Sequence, residues 1–197
     1  MVEDRREKIL LKALELYLTY GYANVSITDL QAALNMGRGT LYYYFKDKDE
    51  LFQEVVNEYL IKPKQRALDK MKDTDTVPDM IEIMLSYLDN LREFRDQIAN
   101  MSLNTSNVLV ILYSAYSRFP DLYKKAHRMY ASEYNHWVQS IRNSIRAGVI
   151  RGNVPIETTA QMFLHIKDGW DPGRSGSMNF DIFPQQYNFL YESLKKN

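Results

Sequence analysis

Between Met36 and Lys48 the chain places three cations (Arg38, Lys46, Lys48), one anion (Asp47), a threonine and three consecutive tyrosines within 13 positions. Guanidinium, ammonium, hydroxyl and phenol groups are the donors that phosphate oxygens and base edges accept. Elsewhere reactive chemistry is sparse. Glu133 and His136 repeat the Glu-x-x-His spacing of bundle di-metal sites, but such a site needs a second unit and further carboxylates, and neither His127 nor His165 with Asp168 provides them. Without cysteine there are no thiolate ligands, disulfides or cysteine nucleophiles. Gly37-x-Gly39 lacks the third glycine and the preceding strand of a dinucleotide loop, and no Ser/His/Asp arrangement is visible. The expectation is a protein with no catalytic residues, no cofactor and no metal.

The elements that must position the cluster are helices. The chain has 197 residues, 45% of them hydrophobic, with 25 Lys+Arg balancing 25 Asp+Glu. Residues 1–48 are nearly neutral too, with seven basic and six acidic side chains, so any phosphate chemistry rests on local placement. The longest strongly apolar stretch, Val108 to Tyr113, is far below the ~18 residues of a membrane span, and the start is charged where a signal peptide needs an apolar core. A soluble cytoplasmic protein that engages no membrane is expected. Apolar residues recur at helical spacing throughout, as in Ile9, Ala13, Leu16 and Tyr20, or Trp137, Ile141 and Ile145. The pattern predicts helices over 4–20, 27–34, 38–45, 49–72, 78–96, 98–117, 121–148, 156–170 and 185–195, with Pro63 kinking or dividing the fourth. Lys72 to Pro78 and Asp171 to Ser177 read as loops, the second as a mobile one. The fold class is all-α.

Within this frame, Ser26 to Lys48 reads as two short helices around a tight turn. Ser26 and Asp29 form a capping-box pair that starts the first helix, and Ile27, Leu30 and Leu34 make its apolar face. Asn35 tolerates the left-handed turn into the second helix, which Leu41 and Phe45 fasten inward. Arg38, Thr40, Tyr43 and Tyr44 then point outward, followed by Lys46 and Lys48. Successive helical positions lie about 100° apart, so Tyr42, Tyr43 and Tyr44 cannot all be buried.

These residues resemble the TetR (tetracycline-repressor-like) family of bacterial transcriptional regulators. The likeness covers residues 5–52 and rests on Gly21-Tyr22, Ser26, Asp29-Leu30, and above all Gly39-Thr-Leu-Tyr-x-Tyr-Phe-Lys-x-Lys48 followed by Leu51-Phe52. It departs from the family at Gln31, where a small Ala is usual, at Asn35 for the turn Gly, and at Gly37 for the capping Ser or Thr. The resemblance implies a helix-turn-helix DNA-binding domain at 1–48 fused to a helical effector-binding and dimerisation body at 49–197. By similarity, residues 38–45, Gly39 among them, enter the major groove. Arg38 and Thr40 would read base edges, with Tyr42 as a mixed case. Ser26, Tyr43, Tyr44, Lys46 and Lys48 would steady the DNA. The implied partners are a double-stranded operator, a second copy of the chain paired through its C-terminal helices, and a small-molecule effector.

In the body, methionines and tyrosines could be ordinary core or an adaptable apolar wall with polar tips. Met84, Tyr87, Phe94, Tyr113, Tyr116, Tyr130, Tyr134, Trp137 and Phe163 are the residues expected to line the pocket, and their richness in rings suggests an apolar or aromatic effector. The functional expectation is a repressor released by that effector. The alternative is an all-helical ligand- or partner-sensing dimer whose helix-turn-helix no longer reads DNA.

Overall fold

Ile9, Ala13, Leu14, Tyr17 and Leu18 recur at three- and four-residue spacing and are all buried, so one face of helix α1 (Val2–Tyr20) becomes the seat of the N-terminal helices. The computed structural model describes residues 2–99, 107–167 and 180–196; the side chains of residues 2–4, Arg38, Ile98 and Ala99 lie outside the description. Asp168, the loop expected at 171–177 and residues 100–106 of the helix expected at 98–117 fall outside the described residues as well, while residues 98 and 99 close the preceding helix.

Gly21 ends α1 at φ 79°, a backbone setting that a side chain would strain, and its N–H donates to the Tyr17 carbonyl at 2.9 Å. A 3-10 turn at Tyr22–Asn24 leads to α2 (Ile27–Leu34), α3 (Arg38–Tyr44) and α4 (Lys48–Val56). Leu30, Leu41, Phe45, Leu51, Phe52, Val55 and Val56 are buried, so all three short helices are held by apolar contact.

The long helix expected over 49–72 is interrupted ahead of Pro63. After α4 comes a π-turn, Asn57–Ile61, and then α5 (Lys62–Leu68). Proline has no N–H for the carbonyl four residues back, and the wider turn shifts the pairing by one residue, Lys62 N–H donating to the Asn57 carbonyl. The remaining helices are α6 (Val77–Ala99), α7 (Asn107–Arg118), α8 (Pro120–Arg146), α9 (Ile156–Ile166) and α10 (Ile182–Leu194). Among the described residues the sole extended pairing is an isolated antiparallel bridge between Ile150 and Lys195. None of these helices is long and apolar enough to cross a membrane.

By contact the chain forms two compact units, Met1–Lys62 with Phe94–Lys125 and Pro63–Glu93 with Ala126–Asn197, so the expected division after Lys48 falls within the first. In that first unit α7 joins the N-terminal helices: the Asn107 amide donates to the Leu18 carbonyl, and Phe119, just past α7, meets Phe52 at 6.0 Å between centroids. In the second unit, Trp137, Phe163 and Tyr187 are fully buried and stack nearly parallel, Trp137 lying 4.6 Å from Phe163 at 6°. The loop before α6 is fixed there by Asn143, whose Nδ2 donates to the Asp73 and Asp75 carbonyls at 2.9 Å each. Val77 N–H donates to Ser144 Oγ at 2.9 Å, which starts α6 against α8.

Candidate nucleic-acid interface

The first part of the interface is a cap. Ser26 Oγ accepts from Asp29 N–H at 3.1 Å while the Asp29 carboxylate accepts from Ser26 N–H at 2.7 Å and from its hydroxyl at 2.6 Å. These bonds hold the Asp29 carboxyl below its ordinary range. Ser26, expected at a phosphate, therefore has its hydroxyl engaged within the cap. Asn35 closes α2 at φ 50° and ψ 47°, the left-handed turn that its short polar side chain tolerates. Met36 N–H donates to the Gln31 carbonyl at 2.9 Å, whereas Gln31 Nε2 is buried without a hydrogen-bond partner. Gly37 then starts α3 in extended conformation with no side-chain cap.

On α3, Leu41 and Phe45 face inward at 1% and 2% exposure, and this fixes where the rest point. Tyr42 and Tyr43 are 41% and 77% exposed, Thr40 and Tyr44 are half-buried, and Gly39 and Lys46 lie on the surface. Tyr43 and Tyr44 meet edge to face at 5.1 Å, a contact that steadies two phenols side by side. Arg38 opens α3, and its side chain lies outside the description. Beyond the helix, the Lys46 N–H is bound by Glu50, and Asp47 caps α4 by accepting from Glu50 N–H at 2.8 Å.

Lys48 brings in Tyr22, Asp49 and Arg118. Its ammonium sits 4.1 Å from the centroid of the Tyr22 ring, over its face. Tyr22 in turn lies on Phe52 at 4.2 Å and donates its hydroxyl to Asp49. Arg118, at the end of α7, closes the group: its guanidinium reaches both Asp49 oxygens, at 3.2 and 3.3 Å, and stands 5.3 Å from the Tyr22 centroid. Burial lowers the Lys48 ammonium from its ordinary value and Arg118 acts in the same sense, against the pull of Asp49. Burial and the bond to Asp49 push Tyr22 up to about 12. The Tyr22 hydroxyl, ahead of Arg118, holds the Asp49 carboxyl below the 3.8 of a free aspartate.

A carboxyl depressed in the folded state contributes stability above its unfolded value and loses it as pH falls through the folded value. Thermal melting of the wild type is accordingly expected to lose an increment below a pH of about 3.8, and Asp49→Asn to melt lower at neutral pH with the gap closing in acid. A gap that is the same from neutral to acid pH would show that Asp49 is not the group involved. Tyr22 was legible as part of the Gly21-Tyr22 motif. Arg118 was not, because it lies 69 residues from Asp49.

The residues expected to line an effector pocket divide between the units. Phe94, Tyr113 and Tyr116 belong to the first, where Phe94 stacks on Tyr59 at 5.9 Å, Tyr116 meets Tyr123 at 6.3 Å, and Tyr113 is 73% exposed. Met84, Tyr87, Tyr130, Tyr134, Trp137 and Phe163 belong to the second. There Met84, Trp137 and Phe163 are fully buried, Tyr87 lies under the Lys64 ammonium, and the Tyr130 hydroxyl pairs with His165 Nε2 at 2.7 Å. His136 Nδ1 bonds the Ser132 carbonyl at 2.8 Å, and among the described residues no three acidic or imidazole side chains gather as a metal site would need.

Sequence and structure comparisons bear on this arrangement. Residues 9–55 match the profile described as bacterial regulatory proteins, tetR family. An HTH-type transcriptional repressor of Mycobacterium tuberculosis is 28% identical over 97 residues, covering 47% of this chain and 52% of its own. The chain thus spans about half the length of that curated relative. An uncharacterized HTH-type transcriptional regulator of Bacillus subtilis, YfiR, is 26% identical over 172 residues, covering 85% of this chain and 78% of its own. In fold, the chain is similar to SmeT, the repressor of a Stenotrophomonas maltophilia multidrug efflux pump, solved with triclosan: TM-score 0.64 at 18% identity, over 98% of this chain and 93% of that one. A capped α2, a left-handed turn and an outward-facing α3, in a chain whose described elements are helices, are the features that accompany the match of residues 9–55 to the tetR family of bacterial regulatory proteins.

Proposed function

We propose that the protein is a sequence-specific DNA-binding transcriptional regulator, a repressor that a small-molecule effector releases from its operator. The observation that carries the reading is α3 itself: Leu41 and Phe45 anchor it, so Tyr42 and Tyr43 stand at the surface on a helix whose rotation is fixed, with exposed Lys46 just past its end. Half-buried Tyr44 and Lys48 are suited to contacts at the edge of the groove. Self-association is supported by large apolar side chains at the surface of α9 and α10, where Met162, Ile182 and Phe189 are 51%, 42% and 78% exposed. A two-fold dimer then presents two recognition helices about 34 Å apart to successive major grooves of a pseudo-palindrome.

Release follows from linkage. An effector that binds one arrangement of the body helices better than another draws the protein toward it, and DNA affinity changes by the same coupling factor. The body holds stacked rings, and the similar SmeT is a repressor solved with triclosan; both support an aromatic or apolar effector.

The test is selection of bound sequences from a random duplex pool by the purified full chain, with Arg38→Ala and Lys48→Ala in parallel. Enrichment of a pseudo-palindrome is expected. Arg38→Ala is expected to weaken binding to that sequence by about 1 to 3 kcal/mol while leaving random DNA little changed. Lys48→Ala is expected to weaken all sequences alike and to reduce the salt slope by about 1. No enrichment with folded, dimeric protein would overturn the reading and favour a sensor that does not read DNA.

A further inference from the structure

Glu133 of α8 is fully buried in the second unit. Its Oε2 is held by the Lys64 ammonium, which itself lies 5.3 Å from the Tyr87 ring centroid. Lys167 stands 3.5 Å from Oε1, yet Oε1 has no hydrogen-bond partner. One helical turn further along α8, the indole N–H of Trp137 is buried and also has no acceptor. Residues four apart on a helix share a face, so both groups project from the same side of α8. Protein interiors do not ordinarily leave such groups unmade, and a bound molecule that supplies both bonds is one way to satisfy them. The Trp137 ring lies in the parallel stack with Phe163 and Tyr187, so the indole N–H belongs to the edge of an aromatic group. Lys64 and Lys167, with side chains 14% and 11% exposed, mark the edge of the cluster nearest solvent.

The geometry points to Glu133 and Trp137 as the polar recognition point of the effector site, selecting a planar aromatic alcohol. A hydroxyl is donor and acceptor at once: it donates to Glu133 Oε1 and accepts from the Trp137 N–H while its ring lies against the aromatic residues. A purely apolar ligand of the same shape leaves both groups unmade, and a ligand with an ether oxygen satisfies only the indole. This inference rests on the effector-responsive reading above and narrows the effector class from apolar or aromatic to aromatic with a hydroxyl.

The experiment compares 2-naphthol, 2-methoxynaphthalene and naphthalene by calorimetry on the full chain in the absence of DNA. 2-Naphthol is expected to bind about tenfold or more tightly than either of the others. Trp137→Phe, which keeps a flat ring and removes the N–H, and Glu133→Gln, which keeps an acceptor and removes the charge, are each expected to narrow that ratio, circular dichroism verifying that both fold. Where one variant fails to fold, the other carries the comparison. Equal affinities, a ratio unchanged in the folded variants, or no binding of any probe overturns the inference. None of those results bears on DNA recognition, which the duplex selection tests separately.

Discussion

Phe52→Ala is expected to lower the stability of the protein by about 3 to 5 kcal/mol, among the larger effects of a single core truncation. Phe52 is fully buried at the centre of an aromatic group, edge-on to Tyr17 at 5.1 Å, against Tyr22 at 4.2 Å and near Phe119 at 6.0 Å. Truncation removes the apolar area of the ring and leaves a cavity among partners anchored on three different segments, which limits collapse. The Tyr22 ring also supports Lys48 and the Asp49 bond, so operator affinity is expected to fall together with stability. Urea unfolding followed by circular dichroism measures the first effect and operator titration the second. A loss below about 1 kcal/mol would mean that the neighbouring rings repack, and the account of α4 as fastened by Phe52 would be wrong.

Glu133→Ala is expected to cost a similar amount, about 3 to 5 kcal/mol, for a different reason. Lys64 and Lys167 both approach a carboxylate that water does not reach. Deleting it removes the counter-charge of two ammonium groups of low exposure, although Lys167 keeps its bond to the Leu164 carbonyl and Lys64 its place over the Tyr87 ring, and like charges without a buried counter-ion are costly. The comparison that isolates the electrostatic part is the double replacement Glu133→Ala with Lys64→Met, which removes one stranded charge and is expected to recover part of the loss. Thermal melting of the three proteins decides it. No recovery in the double variant would show that the loss arises from packing around α8 and not from charge.

The interface and the body differ in how much of each was legible beforehand. Ser26 with Asp29, Asn35, and Leu41 with Phe45 all act over three or four residues or within a single turn, and the structure realises the capping box, the left-handed setting and the inward pair. Pro63 announced a break, but nothing in its identity specified a π-turn, because the backbone can meet a missing donor in several ways. In the body, periodicity found the rings and not their company: Trp137 and Phe163 stack in the interior while Tyr113 of the same expected set stands at the surface. Helical spacing reports the face a residue occupies on its own helix; what packs against that face depends on other helices.

By itself, then, the sequence determined the all-helical class, the helix-turn-helix and the sense in which α3 faces outward, because each is set by hydrogen bonds and apolar repeats within a few residues. Only the tertiary structure decided that Arg118 reaches Asp49 and that Lys64 reaches Glu133, pairs that each lie 69 residues apart. The reason is physical. Charges of opposite sign attract in any arrangement of the chain, and which of them meet is fixed only after apolar burial has chosen the helix packing and closed the loops between them.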